Sequence, residues 1–289
     1  MPILDMWRPA LFCLVLARAA GWPLEFDVPS PAATAARCAE LGVDIPAAAS
    51  DVLSTPRYVL VARHADRLPE GRYVSGPGLA PAGYARSFGF LSWYLENLQQ
   101  LIGWPSYFIT LGASIDYDSP INATYSFREM STVAPLITYL EYLNGTDGSS
   151  NENLLYSGFQ EDDTPKLPCY LYFQEYLEGK TIMVDWDHAE MPTLFGALLS
   201  MPNGTADRYF SMGSDEYDTM FLMNYTGDGV RVTRLLDDGG YESMSADRMG
   251  DVFSQYARAF QGVVSGAPAR LRCAQSSLTW FILLFALLM

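Results

Sequence analysis

Only two histidines occur in this chain of 289 residues, and each follows an apolar run. Tyr58-Val59-Leu60-Val61-Ala62 leads into Arg63-His64-Ala65-Asp66, and Thr181-Ile182-Met183-Val184-Asp185-Trp186-Asp187 leads into His188. A neutral imidazole is a competent nucleophile, and an imidazole N–H can hold an anionic oxygen. A guanidinium matches phosphate oxygens two at a time and stays charged at any ordinary pH. Arg63-His64 therefore offers a cation beside a nucleophile. Arg128 stands four residues ahead of Thr132, at the start of a helical pattern, a favourable place for an anion. These residues suit transfer of a phosphoryl group, which needs an acceptor, cations for its oxygens and an acid for the oxygen that leaves.

Several carboxylates could supply that acid. Asp187, Glu190, Asp66 and Glu129 all lie near these residues in sequence. Strand alternation turns Asp187 away from the face of Trp186, which favours Glu190, with Asp187 as the alternative. With no acid in reach, turnover would favour substrates with good leaving groups.

The elements that must position these groups follow from hydrophobic pattern. Tyr58–Ala62 is an unbroken apolar run of the buried, parallel-strand kind. Leu79-Ala80-Pro81 opens a helix whose Phe88, Leu91, Leu95 and Leu98 recur at helical spacing. Tyr107–Leu111 reads as a second strand, and a helix is expected from Ser126 to Leu143, ending at Asn144-Gly145. The polar, acidic stretch from Asn144 to Pro165 reads as a surface excursion. Thr181–Trp186 is a third central strand, followed by a helix over Pro192–Leu199. Thr219–Asn224 and Val230–Leu235 flank Thr226-Gly227-Asp228-Gly229, a hairpin signal. Ala246–Val264 closes the domain as a helix, with Ser245 as its N-cap. Alternation of strands and helices implies an α/β fold, a three-layer sandwich around a mainly parallel central sheet. Ligands in such sheets bind beyond the carboxyl ends of the strands, where both histidines fall.

The motifs, taken in order, resemble the histidine phosphatase superfamily with its phosphoglycerate-mutase-like fold, and in particular its secreted and fungal-type branch. Arg63-His64-Ala65-Asp66 is similar to that family's R-H-G/A-E/D signature. Gly78-Leu79-Ala80-Pro81-Ala82-Gly83 is similar to its helix opening, and Arg128-Glu129-Met130-Ser131-Thr132-Val133 to its R-x-x-x-T-[AV] helix start. The strand ending in Trp186-Asp187-His188 looks like the one carrying the second histidine, and Asp215-Glu216-Tyr217-Asp218 resembles the secreted members. The resemblance covers roughly residues 56 to 260. It implies a metal-independent phosphomonoesterase with no cofactor and a small phosphorylated substrate. His64 would be the phosphorylated nucleophile, and Arg63, Arg128 and His188 would bind the transferred group. One branch of the family places its acid directly after the second histidine; here that residue is Ala189. A phosphomutase, or a surface recognition protein without turnover, are the alternatives on the same fold.

Composition limits the partners. The net charge is −15 with 49% apolar content. An acidic chain without a basic stripe is not a nucleic-acid binder, and any phosphate site must be a local arginine pocket. The two histidines and the cysteines show no zinc-ligand spacing.

Both ends read as processing signals. Residues 1–20 resemble a secretory signal peptide, with an apolar run at Ala10–Leu16 and small residues after it. Small residues Ser265-Gly266-Ala267, a polar spacer and the apolar Leu278–Met289 form the pattern of a GPI-attachment signal; a tail anchor is the alternative for residues 266–289. Residues 21–55 would wrap the surface of a domain spanning 56–265. Four glycosylation sequons, at Asn122, Asn144, Asn203 and Asn224, agree with export to the cell surface or beyond. Removing both ends leaves Cys38 and Cys169, an even pair in an oxidising compartment, as a disulfide or as two buried thiols.

Overall fold

The computed structural model describes residues 22–46, 51–65, 79–112, 114–115, 125–126, 128–147, 154–202, 204–213, 216–217, 219–227 and 229–236. The chain divides into units 1–242 and 243–289, and every described residue belongs to the first. The expected leader, attachment segment and closing helix, together with Asp66, Asn122 and Asn203, lie outside the described residues.

In chain order the first half contains β1 (Leu24–Phe26), α1 (Pro31–Glu40), β2 (Tyr58–Arg63), α2 (Pro81–Trp93), α3 (Gln99–Ile102), β3 (Tyr107–Leu111), β4 (Ser114–Ile115), β5 (Tyr125–Ser126) and α4 (Arg128–Asp147). The second half contains β6 (Leu154–Phe159), α5 (Leu167–Tyr172), β7 (Thr181–Trp186), α6 (Met191–Leu198), α7 (Asp207–Phe210), β8 (Thr219–Thr226) and β9 (Gly229–Leu236). The main sheet has seven strands in the order β1-β9-β8-β2-β7-β3-β6. Strands β2, β7, β3 and β6 pair in parallel, whereas β8, β9 and β1 pair antiparallel to their neighbours. Only β8 and β1 therefore run against the rest.

Strand alternation sorts the side chains into two cores. Val59, Val61, Ile182, Val184 and Trp186 face a layer built from α1, α5, α6 and α7, with Phe195 stacked on Phe210 at 3.9 Å between ring centroids. Leu60, Phe108 and Met183 are buried on the opposite face, where α4 packs on β3 and β7 and α2 packs on α4. The result is an α/β sandwich of three layers. In α2 and the π-helical turn after it (Tyr94–Leu98), Leu91 and Leu98 are buried as their spacing predicts. Phe88 and Leu95 are only half-buried, and Tyr94 takes the inward place.

Three departures from the sequence pattern bear on function. Residues 154–159 of the expected excursion form the edge strand β6 against β3. A 3-10 turn over Glu161–Lys166 follows it, and Trp186 Nε1 donates to Thr164 Oγ1 at 3.0 Å, which holds that turn against the end of β7. Residues 21–55 supply β1, which pairs with β9, and α1, whose Cys38 is disulfide-bonded to Cys169 of α5. Helix α4 runs through Asn144-Gly145 to Asp147, so Asn144 is helical, and Asn224 lies within β8 opposite Tyr58. Among the described residues no helix is long and apolar enough to cross a membrane.

Candidate active site

Both histidines leave the carboxyl ends of adjacent parallel strands. Arg63 of β2 is paired with Trp186 of β7, and the next backbone N–H, that of His64, donates to Trp186 O at 3.3 Å. The imidazoles of His64 and His188 stand edge to face, with centroids 6.5 Å apart. His64 is 1% exposed, and its Nδ1 lies 2.8 Å from the carbonyl oxygen of Ala65. A carbonyl can only accept, so Nδ1 carries a proton and Nε2 is the ring's second, reactive nitrogen.

The start of α4 docks on the same loop. Thr132 Oγ1 accepts from the N–H of Ala65 and donates to Arg128 O, each at 2.8 Å. Ser87 of α2 reaches the Ser131 and Thr132 carbonyls at 2.8 and 2.7 Å. The four-residue step from Arg128 to Thr132 thus places one hydroxyl where it ties a helix start to the residue after His64. Arg128 sits at this helix start and is close enough to Glu161 to act on its titration.

Arg63 is 2% exposed and is turned toward the segment before β8. Its Nη1 donates to the carbonyls of Gly213 at 2.8 Å and Glu216 at 3.1 Å, and its guanidinium lies 4.0 Å over the Tyr217 ring. Tyr217 also approaches His64, with centroids 6.1 Å apart. Glu216 is held in turn by Arg234 and Thr219. A small pocket behind this arrangement is lined by Arg63, Ala65, Arg86, Thr132 and Tyr217, and neither imidazole lines it.

Asp187 stands between the two histidines. It does leave Trp186's face, but β7 has ended, and Asp187 is the N-cap of a 3-10 turn over His188–Glu190 that accepts from the N–H of Ala189 at 2.8 Å. There its carboxylate meets both imidazoles: Oδ2 lies 3.4 Å from His64 Nε2 and Oδ1 lies 3.3 Å from His188 Nδ1. Burial pushes the Asp187 carboxyl up, but its contacts with His188 and His64 and the Ala189 N–H outweigh that and hold it well below the usual carboxylate range. Asp187 is therefore a firm anion between the imidazoles and a poor proton donor. Burial raises Glu190, as do Asp187 and Asp162, against hydrogen bonds to Thr193 and Thr164.

The residue missed in the sequence is Glu161. Burial raises its carboxyl, and Asp187, Glu190 and Glu129 raise it further, against the lowering effect of Arg128. The turn after β6 thus brings it within electrostatic reach of Asp187 and Arg128. The available signal was the acidic Glu161-Asp162-Asp163 ahead of Pro165, a helix-start composition. Beneath the site lies Asp185, fully buried beside Thr110; among the described residues neither its oxygens nor the Thr110 hydroxyl has a hydrogen-bond partner. Burial, then Glu129, raise the Asp185 carboxyl well above its ordinary value despite Arg63.

No family model and no curated protein matches the chain. Among solved structures, it is similar to a protein assigned as the phosphohistidine phosphatase SixA of Agrobacterium tumefaciens, at 11% identity and a TM-score of 0.37, over 61% of this chain and 96% of that one. A protein assigned as an alpha-ribazole-5'-P phosphatase of Escherichia coli overlaps at 10% identity and a TM-score of 0.38, over 63% of this chain and 97% of that one. A mycobacterial hydrolase overlaps at 11% identity and a TM-score of 0.34, over 69% and 97%. Likeness at this level says nothing about chemistry.

Proposed function

We propose that this chain hydrolyses phosphomonoesters through a phosphoryl group carried on His64. The observation that supports this best is the 2.8 Å contact of Nδ1 with Ala65 O. In the neutral ring it fixes the tautomer in which the Nε2 lone pair is the nucleophile. Nε2 bonds to phosphorus as the ester P–O bond breaks, and the leaving oxygen takes a proton from a carboxyl group. Water then attacks phosphorus, the P–N bond breaks, the carboxylate recovers a proton from the water, and inorganic phosphate departs. Arg128 and His188 are the groups to hold the phosphoryl oxygens. Arg63, tied to the 213–217 segment, positions the loop. Glu161 is the preferred proton donor, because raised carboxyls keep their proton to higher pH and its neighbours include both Asp187 and Arg128; Glu190 is the alternative.

The test is hydrolysis of an aryl phosphate by the purified protein, with acid-labile phosphoryl-protein trapped by rapid quench. His64→Ala must abolish both. Equal rates for the two proteins reject the mechanism.

The second reading is a surface recognition protein on the same fold without turnover, and Asp187 favours it, since a fixed anion between the imidazoles opposes a phosphate dianion. Absence of hydrolysis of any phosphate ester would select it. The export signal at 1–20, the glycans and the lipid anchor or hydrophobic tail at 266–289 belong to the proposal as well, and place the reaction at the cell surface. Release from membranes by a phosphatidylinositol-specific lipase supports the lipid anchor; retention after that treatment rejects it.

A further inference from the structure

His64, Asp187 and His188 pose a problem of charge that a proton or a metal ion must solve. The Ala65 carbonyl holds a proton on Nδ1 of His64, so in the neutral ring the Nε2 lone pair points at a carboxylate oxygen 3.4 Å away. Nδ1 of His188 is buried without a hydrogen-bond partner of good geometry among the described residues, although the other carboxylate oxygen stands 3.3 Å from it. Three electron-pair donors on three side chains thus converge, and one atom from each lies within 4.8 Å of the others. Two ligands about 2.1 Å from a tetrahedral zinc ion stand about 3.4 Å apart, the spacing of both nitrogen–oxygen contacts here. Imidazole and carboxylate together suit the borderline divalent metals.

We propose that His64 Nε2, a ring nitrogen of His188 and the Asp187 carboxylate bind one divalent transition-metal ion of the zinc class, leaving a fourth position open to water. The ion takes the same nitrogen that the phosphoryl group would take. Metal and phosphohistidine therefore exclude each other, and zinc acts on the phosphatase as an inhibitor. The site itself does not depend on the hydrolytic reading.

Because the chain holds only two histidines, labelling histidine with nitrogen-15 reports on both rings and no others. Zinc chloride added to the purified full-length protein at neutral pH is expected to shift His64 Nε2 and one nitrogen of His188 together, with no further change beyond one equivalent. Cobalt(II) at the same stoichiometry gives visible ligand-field absorption, and Asp187→Asn weakens zinc binding by at least about tenfold. If neither ring responds, or only one does, or Asp187→Asn binds zinc as tightly as the parent, the site is overturned. So is it if His64 Nε2 is found protonated and indifferent to zinc, since a proton then neutralises the contact. The ring shifts need no substituted protein to fold and no activity to read. A protein that binds zinc yet hydrolyses nothing keeps this inference and loses the phosphatase.

Discussion

In the proposed reaction, Asp187 and Glu161 divide the acid–base work of the site. A carboxyl held below its ordinary range cannot deliver a proton, so Asp187 orients imidazoles and Glu161 is left to protonate the leaving group. Replacing His64 by Ala is expected to lower kcat/KM by more than about a thousandfold, read by steady-state hydrolysis. Glu161→Gln should cost about a hundredfold or more on alkyl phosphates and little on nitrophenyl phosphate, whose leaving oxygen needs no proton. The sign of the pH effect follows from the raised carboxyl. Glu161 is a donor below its folded-state pKa, so alkyl-ester turnover falls as pH rises through it, and that limb disappears in the Gln variant. The histidines and Arg128 were legible because their residue types are scarce or their spacing is distinctive. Asp187 is set second as the acid by strand alternation, but its place between the imidazoles is not legible in the sequence, because β7 ends at Trp186.

At the scale of elements, the three central strands were readable as apolar runs, since a strand buried on both faces has no polar alternation to obscure it. Strand β6 was not, because a sheet-edge strand flanked by Asn151-Glu152-Asn153 and Glu161-Asp162-Asp163 shares its surroundings with loops. Missing it also hid Glu161. Strand β7 carries an internal cost in Asp185. Its folded-state carboxyl is raised, so the native state holds a proton that the unfolded chain releases above about pH 4. Stability is lost as pH rises from there toward the folded value. Asp185→Asn should therefore raise Tm at neutral pH, with the gain shrinking toward pH 4, as followed by thermal melts across that range. An unchanged pH profile would show that Asp185 is ionised in the folded protein.

At the scale of the whole molecule, the Cys38–Cys169 disulfide spans 131 residues and joins the N-terminal helix to the layer beneath the sheet. A loop of that size is worth about 4–5 kcal/mol in the chain-entropy account. Reduction should lower Tm by about 10 °C or more, measured by calorimetry with and without reductant.

Strand β1 sets a boundary. It lies antiparallel along β9, and the approach is so close that a Cβ on Gly229 would come within 2.6 Å of Phe26 O. A fragment beginning near residue 56 would retain every candidate catalytic group yet uncover a row of hydrogen-bonding groups along β9, a template for pairing with a second chain. Such a trimmed protein should sediment as dimers or larger species, and a crowding side chain at position 229 should reproduce that stickiness in the full-length chain.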